Sequence, residues 1–161
     1  MSQFTSLLTV SPLADGRSWW LRTPFEYDEG PGDSIEVPVG FVTDFASVPR
    51  ILWSILPQWG RYGNAAVVHD YLYWKQPVSR PEADHIFLDG MKVLRVSVIC
   101  RSVMFGAVRA FGWWSWLSNR WDRRAGIDRV VSSGLEKVGD KPPARPGLIR
   151  HVIEGRPWRA Q

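Results

Sequence analysis

The run Asn64-Ala65-Ala66-Val67-Val68-His69-Asp70-Tyr71-Leu72-Tyr73 decides how this chain is read. It lacks the strict alternation of a half-buried strand, and it predicts a helix over residues 64–75. On such a helix His69 and Tyr73 are one turn apart and share a face, while Asp70 is turned away by about 100°. A second helix over 80–94 is announced by the capping box Ser79-Arg80-Pro81-Glu82, and on it Asp84, Phe87, Leu88 and Met91 fall on one stripe. A carboxylate on a stripe that must be buried is costly unless it is paired. His69 is the nearest candidate partner in sequence. An imidazole, two carboxylates and a phenol are thereby brought within reach of one another, which suits acid–base chemistry; the plainer alternative is a hydrogen-bonded core pair.

Working outward, residues 4–10, 18–25 and 34–42 read as strands. Asp15-Gly16 and Glu29-Gly30-Pro31-Gly32-Asp33 supply the turns between them, which predicts a small antiparallel meander. From Ser47 the pattern becomes helical and runs to Pro57, and a last helix is expected over 97–118. The fold class is therefore α+β, an N-terminal meander followed by a helical half with two facing site helices. Residues 1–121 form the expected single domain. Residues 122–161, with Lys141-Pro142-Pro143-Ala144-Arg145-Pro146-Gly147, read as a basic extension rich in proline and glycine, and residues beyond 138 as an arm.

Composition narrows the classes. The chain has 161 residues and a net charge of +4. Residues 1–118 carry ten Lys/Arg against eleven Asp/Glu, whereas 119–161 carry ten against five, so the basic excess lies wholly in the tail. Such a tail suits an anionic membrane, an acidic partner, nucleic acid or simple solvation, but no nucleic-acid-binding motif accompanies it. One cysteine, Cys100, excludes an intrachain disulfide and a multi-cysteine metal site. No apolar run reaches the roughly 20 residues that span a bilayer, and the N-terminus lacks a signal-peptide pattern, so a soluble, non-exported product is expected. Ten tryptophans are a high density. Trp113, Trp114 and Trp116, beside arginines, suit a lipid membrane surface or a protein partner, or else close the core.

A second constellation, Val37 to Arg50, joins the last strand to the first helix. Asp44 can orient a histidine, bind a cation or cap a helix. Ser47 reads as an N-cap, with a nucleophile as the alternative, and Arg50 can hold an anion or pair with Asp44. The order Val-Pro-x-Gly-Phe-x-Thr-Asp-Phe-Ala-Ser-Val-Pro-Arg, Ala-Ala-Val-x-His-Asp-Tyr-Leu-Tyr, Ala-Asp-x-x-Phe, over roughly residues 35–112, resembles a family of small phage and prophage proteins known only as a domain of unknown function. That resemblance implies a phage origin, a place in the host cytoplasm or the virion, and phage virion or assembly proteins as partners.

The elements His69-Asp70-x-x-Tyr73 and Ala83-Asp84-x-x-Phe87 are also similar to phospholipases A2 of viral and prokaryotic type, although the spacing from histidine to aspartate is shorter and no clean glycine-rich calcium loop precedes the helix. The likeness implies an ester hydrolase. His69 would be the general base, Asp84 would hold its other nitrogen, Tyr73 would hydrogen-bond Asp84, and Asp70 would ligate calcium, with Asp44 and the backbone at Gly60 and Gly63 completing the site. The rival expectation is a non-enzymatic phage virion or assembly protein in which the same side chains form a closed polar network.

Overall fold

A computed structural model describes residues 2–13, 18–30, 32–45 and 61–131. Among these described residues six short strands precede three helices: β1 (Gln3–Phe4), β2 (Val10–Pro12), β3 (Trp19–Leu21), β4 (Phe25–Gly30), β5 (Asp33–Val37), β6 (Val42–Thr43), α1 (Gly63–Lys75), α2 (Arg80–Val93) and α3 (Val98–Arg124). The fold is α+β.

The meander is present but broken. The strand expected over 4–10 is strand only at its two ends, those over 18–25 and 34–42 are each interrupted, and β4 runs past 25 into the expected turn. One half of each segment forms one antiparallel sheet, β1-β4-β5, and the other half another, β2-β3-β6. Both sheets keep the order first, second, third segment. Proline explains two of the breaks. Pro24 stands between β3 and β4 and Pro38 between β5 and β6, where neither can donate to a ladder. In the longest strand, β4, Phe25 and Tyr27 are buried while Glu26 and Asp28 lie on the other face. Phe4 of β1 covers both rings, with centroids at 5.7 and 4.7 Å.

α1 is wrapped on nearly every side, with Ala65 through Asp70 all buried. That burial explains why its sequence shows no apolar stripe. It ends at Gln76, whose left-handed backbone (φ 55°) lets its N–H bond the Leu72 carbonyl at 2.8 Å. Arg123 of α3 also caps this end through the Lys75 carbonyl and the Gln76 side chain, both at 2.7 Å. α2 starts as its capping box predicts, the Glu82 N–H donating to Ser79 Oγ at 3.4 Å. α3 is longer than expected and passes through the boundary drawn at residue 121. Beyond it the chain returns to the sheets: Val130 bridges Phe41, and the Val131 N–H bonds the Gly40 carbonyl at 3.0 Å. Gly40 has φ +84°, and the Val131 carbonyl occupies the place where its Cβ would stand, so only glycine fits there. The helix expected from Ser47 to Pro57 and the arm beyond 138 lie outside the described residues.

Candidate functional site

Asp84 is the hub. One turn into α2 and on its buried stripe, it has no solvent exposure at all. Its Oδ1 accepts from the Tyr73 hydroxyl at 2.5 Å and from His69 Nε2 at 3.2 Å. Its Oδ2 accepts from Arg109 of α3 at 3.2 Å and faces Arg80, one turn before it on α2, at 3.5 Å. Arg80 also donates to the carbonyls of Val108 and Arg109, so a single guanidinium ties α2, the carboxylate and the backbone of α3 together.

The protonation states follow from this arrangement. Burial pushes the Asp84 carboxyl up, but the hydrogen bonds from His69, Tyr73 and Arg109 outweigh it and hold the group below the usual carboxylate range. Burial likewise lowers His69 below its ordinary value of 6.5, against the opposing pull of Asp84. Tyr73 is raised, first by burial and then by its bond to Asp84. The state that satisfies all three is an ionised Asp84, a neutral His69 and a neutral Tyr73. With its proton on Nε2, pointing at the carboxylate, His69 carries its lone pair on Nδ1. Among the described residues no hydrogen bond reaches that atom.

The ring is held as firmly as its nitrogen. It lies 4.1 Å from the Tyr73 ring and 4.7 Å from Phe87, and Tyr73 in turn meets Trp116 edge-on at 5.1 Å. Gly112 of α3 backs the phenol so closely that a Cβ there would collide with its hydroxyl. Trp116 thus sits inside the packing, whereas Trp113 and Trp114 are exposed.

Asp70 belongs to a different cluster. Its Oδ2 accepts from the Thr43 hydroxyl at 2.5 Å, and that hydroxyl accepts from the Phe45 N–H at 3.0 Å. Phe45 has φ 57°, a left-handed backbone unusual for a bulky residue. Asp44, between them, is exposed, and Gly63 opens α1 beside the Phe45 ring, where an added Cβ would make ordinary van der Waals contact. Calcium takes six to eight oxygen ligands. Among the described residues no group of three or more His, Cys, Asp or Glu side chains is placed to hold a metal ion, and the calcium site that the resemblance implies draws on the backbone at Gly60, outside those residues. Gly60, Ser47 and Arg50 lie outside the described residues.

The structure brings His69, Tyr73 and Asp84 together and sets Asp70 apart on Thr43. The reading of the sequence missed Arg80, Arg109, Thr43 and Gly112. Arg80 carried a local signal, since it precedes Asp84 by one turn on the same helix face. Arg109 and Gly112 reach the site only through the packing of α3, which no short-range pattern reports.

Residues 19–108 match a family described as "Protein of unknown function (DUF1353)". The chain is also 32% identical over 94 residues to an uncharacterized protein, y4jT, of Sinorhizobium fredii (strain NBRC 101917 / NGR234). The match takes in 57% of this chain but only 28% of that protein. No solved structure matches the chain significantly. No helix among the described residues is long and apolar enough to cross a membrane.

Proposed function

The chain belongs to this family of unknown function, and from the site alone we propose that it is a hydrolase of carboxylic esters, phospholipids foremost, with His69 as general base. The observation that carries the reading is the 3.2 Å contact of His69 Nε2 with Asp84 Oδ1, which assigns the imidazole proton to Nε2 and leaves the lone pair on Nδ1. Nδ1 removes a proton from water as the oxygen attacks the ester carbonyl, and Asp84 stabilises the imidazolium that forms. Collapse of the tetrahedral adduct breaks the bond from carbon to the alcohol oxygen. The departing alkoxide takes the proton back from Nδ1, leaving an acid and an alcohol. Arg80 and Arg109 keep Asp84 charged throughout, and Phe87 and Tyr73 fix the ring plane. The likeness to phospholipases A2 and the phage origin that the sequence suggests agree with a lipid ester as substrate.

One observation favours a second reading. Asp84, wholly buried, joins four side chains on three helices, as a polar network that only fixes the fold would do. In that case the protein is a non-enzymatic component of a phage virion or its assembly.

Release of fatty acid from mixed phosphatidylglycerol–detergent micelles separates the two. His69→Asn is expected to stop release while the protein stays folded, its melting temperature lowered by the lost ring packing but its circular dichroism at assay temperature unchanged. Because burial favours neutral imidazole, the base form persists as pH falls through 6.5, and the rate declines only at more acid pH. If wild-type protein releases nothing, with or without added calcium, the hydrolase reading fails and the network reading stands.

A further inference from the structure

α3 is apolar on both of its sides. Its inward side packs Met104, Val108 and Trp116 on the core beside Arg109, Gly112 and Asn119, while its outward side is apolar from Ile99 to Trp121. At about 100° per residue, Ile99, Val103, Trp113, Trp114 and Trp121 point within one sector, and Gly106 and Ala110 fill the middle of the same stripe. Ile99 is 79% exposed, Trp114 63% and Trp113 51%. The helix is about 40 Å long, so the patch is far larger than a scattering of surface apolar residues.

The charges beside the stripe are of one sign. α3 contains Arg101, Arg109, Arg120, Arg123 and Arg124 against the single acid Asp122. Arg120 and Arg124 stand exposed at its C-terminal end, and Arg95, also exposed, precedes its N-terminus. A second copy of the same face would set arginines against arginines in either orientation, which opposes self-association. A surface that is apolar beneath and anionic above suits it instead: tryptophans settle at the boundary of headgroups and acyl chains, and the arginines meet lipid phosphates.

We propose that the outward face of α3 docks on an anionic lipid surface through Trp113, Trp114 and Trp121, with Arg120 and Arg124 at its rim. The helix lies along the surface and does not cross it. Binding of this kind is independent of any ester hydrolysis at His69, although it sets the site's inner wall, Arg109 and Trp116, on the same helix that touches the lipid.

Flotation with vesicles of ether-linked lipid, which no esterase can cleave, tests the proposal. Full-length protein is expected to float with vesicles containing phosphatidylglycerol and to stay behind with pure phosphatidylcholine. Trp113→Ala/Trp114→Ala is expected to weaken binding by about tenfold or more. Both positions are exposed, so the variant's circular dichroism should match wild type, and Arg120→Glu/Arg124→Glu gives an independent loss. His69→Asn should float as wild type does, which keeps this result apart from that of the hydrolysis assay. Wild-type protein that fails to float, or floats equally well after both double substitutions, overturns the proposal. So does a wild-type dimer that the tryptophan substitutions render monomeric without any vesicle binding, since a second copy then covers the face.

Discussion

Residues 112 and 113 are neighbours in sequence and occupy opposite worlds. Gly112 lies against the Tyr73 hydroxyl, beside a carboxylate with no exposure, and Trp113, about 100° further round the same helix, stands half in solvent. The inner face of α3 sets Arg109, Gly112 and Asn119 among the packed side chains of Met104, Val108 and Trp116; the outer face is apolar and exposed. A globular helix normally buries its apolar stripe and wets the opposite face. The difference shows that α3 is held to the domain by a few directed bonds, through Arg109, Arg80, Asn119 and Arg123, as much as by apolar burial. Substitutions on its two faces should accordingly have effects of different size, and at one pair of positions of different sign.

The largest effect is expected where the inner face is anchored. Asp84→Ala takes the acceptor from His69, Tyr73, Arg80 and Arg109 together, leaving buried donors without a partner. Breaking a buried pair in this way costs about 3–5 kcal/mol, with the partial exposure of the two arginines favouring the lower end. Urea unfolding measures it directly. A cost below about 1 kcal/mol would mean that α3 is held by its apolar contacts after all, and the contrast between its faces would collapse.

How much of this was legible in the sequence follows the range of the interactions. The α1 and α2 helices, their capping box and the meeting of His69, Tyr73 and Asp84 could be read because each depends on periodicity within one helix or between consecutive helices. The order of the meander could be read as well, but not its division into two sheets. Pro24 and Pro38 mark breaks in the second and third segments, whereas nothing in Thr5-Ser6-Leu7-Leu8-Thr9 marks the first, which must follow its partner. Asp70 is a mixed case. The turn of about 100° that parts it from the His69 face could be read, but not that its carboxylate meets Thr43 in the sheets. The inner face of α3 was illegible because a glycine and an arginine among tryptophans carry no period of their own; only the fold tells which of them face Tyr73.

A smaller effect is expected from packing alone. Gly112→Ala puts a methyl group where the Tyr73 hydroxyl lies, and that hydroxyl is fixed by Asp84, so α3 must move outward or the phenol must give up its bond. Overpacking of this kind costs about 1–3 kcal/mol. A fall in melting temperature accompanied by weaker protection of the Tyr73 hydroxyl hydrogen in exchange measurements checks it. An unchanged melting temperature would show that the helix can slide past the site, and the tight inner face would have to be given up.

The smallest effect has the opposite sign and uses the same substitution. Gly106 lies on the outer stripe, in the middle of α3, and a Cβ there would meet nothing within 4 Å. Its backbone is ordinary right-handed helix, so an alanine is under no strain, and the only consequence is to remove the conformational freedom that glycine gives the unfolded chain. Gly106→Ala should therefore stabilise the protein by about 0.5–1 kcal/mol, read as a rise in the urea midpoint with an unchanged slope. The pair of glycine-to-alanine substitutions on one helix thus isolates the two faces with a single methyl group: destabilising inward, stabilising outward. Should Gly106→Ala destabilise instead, something must already cover the outer face in solution, and concentration dependence of that loss would identify a second copy of the chain as the cover.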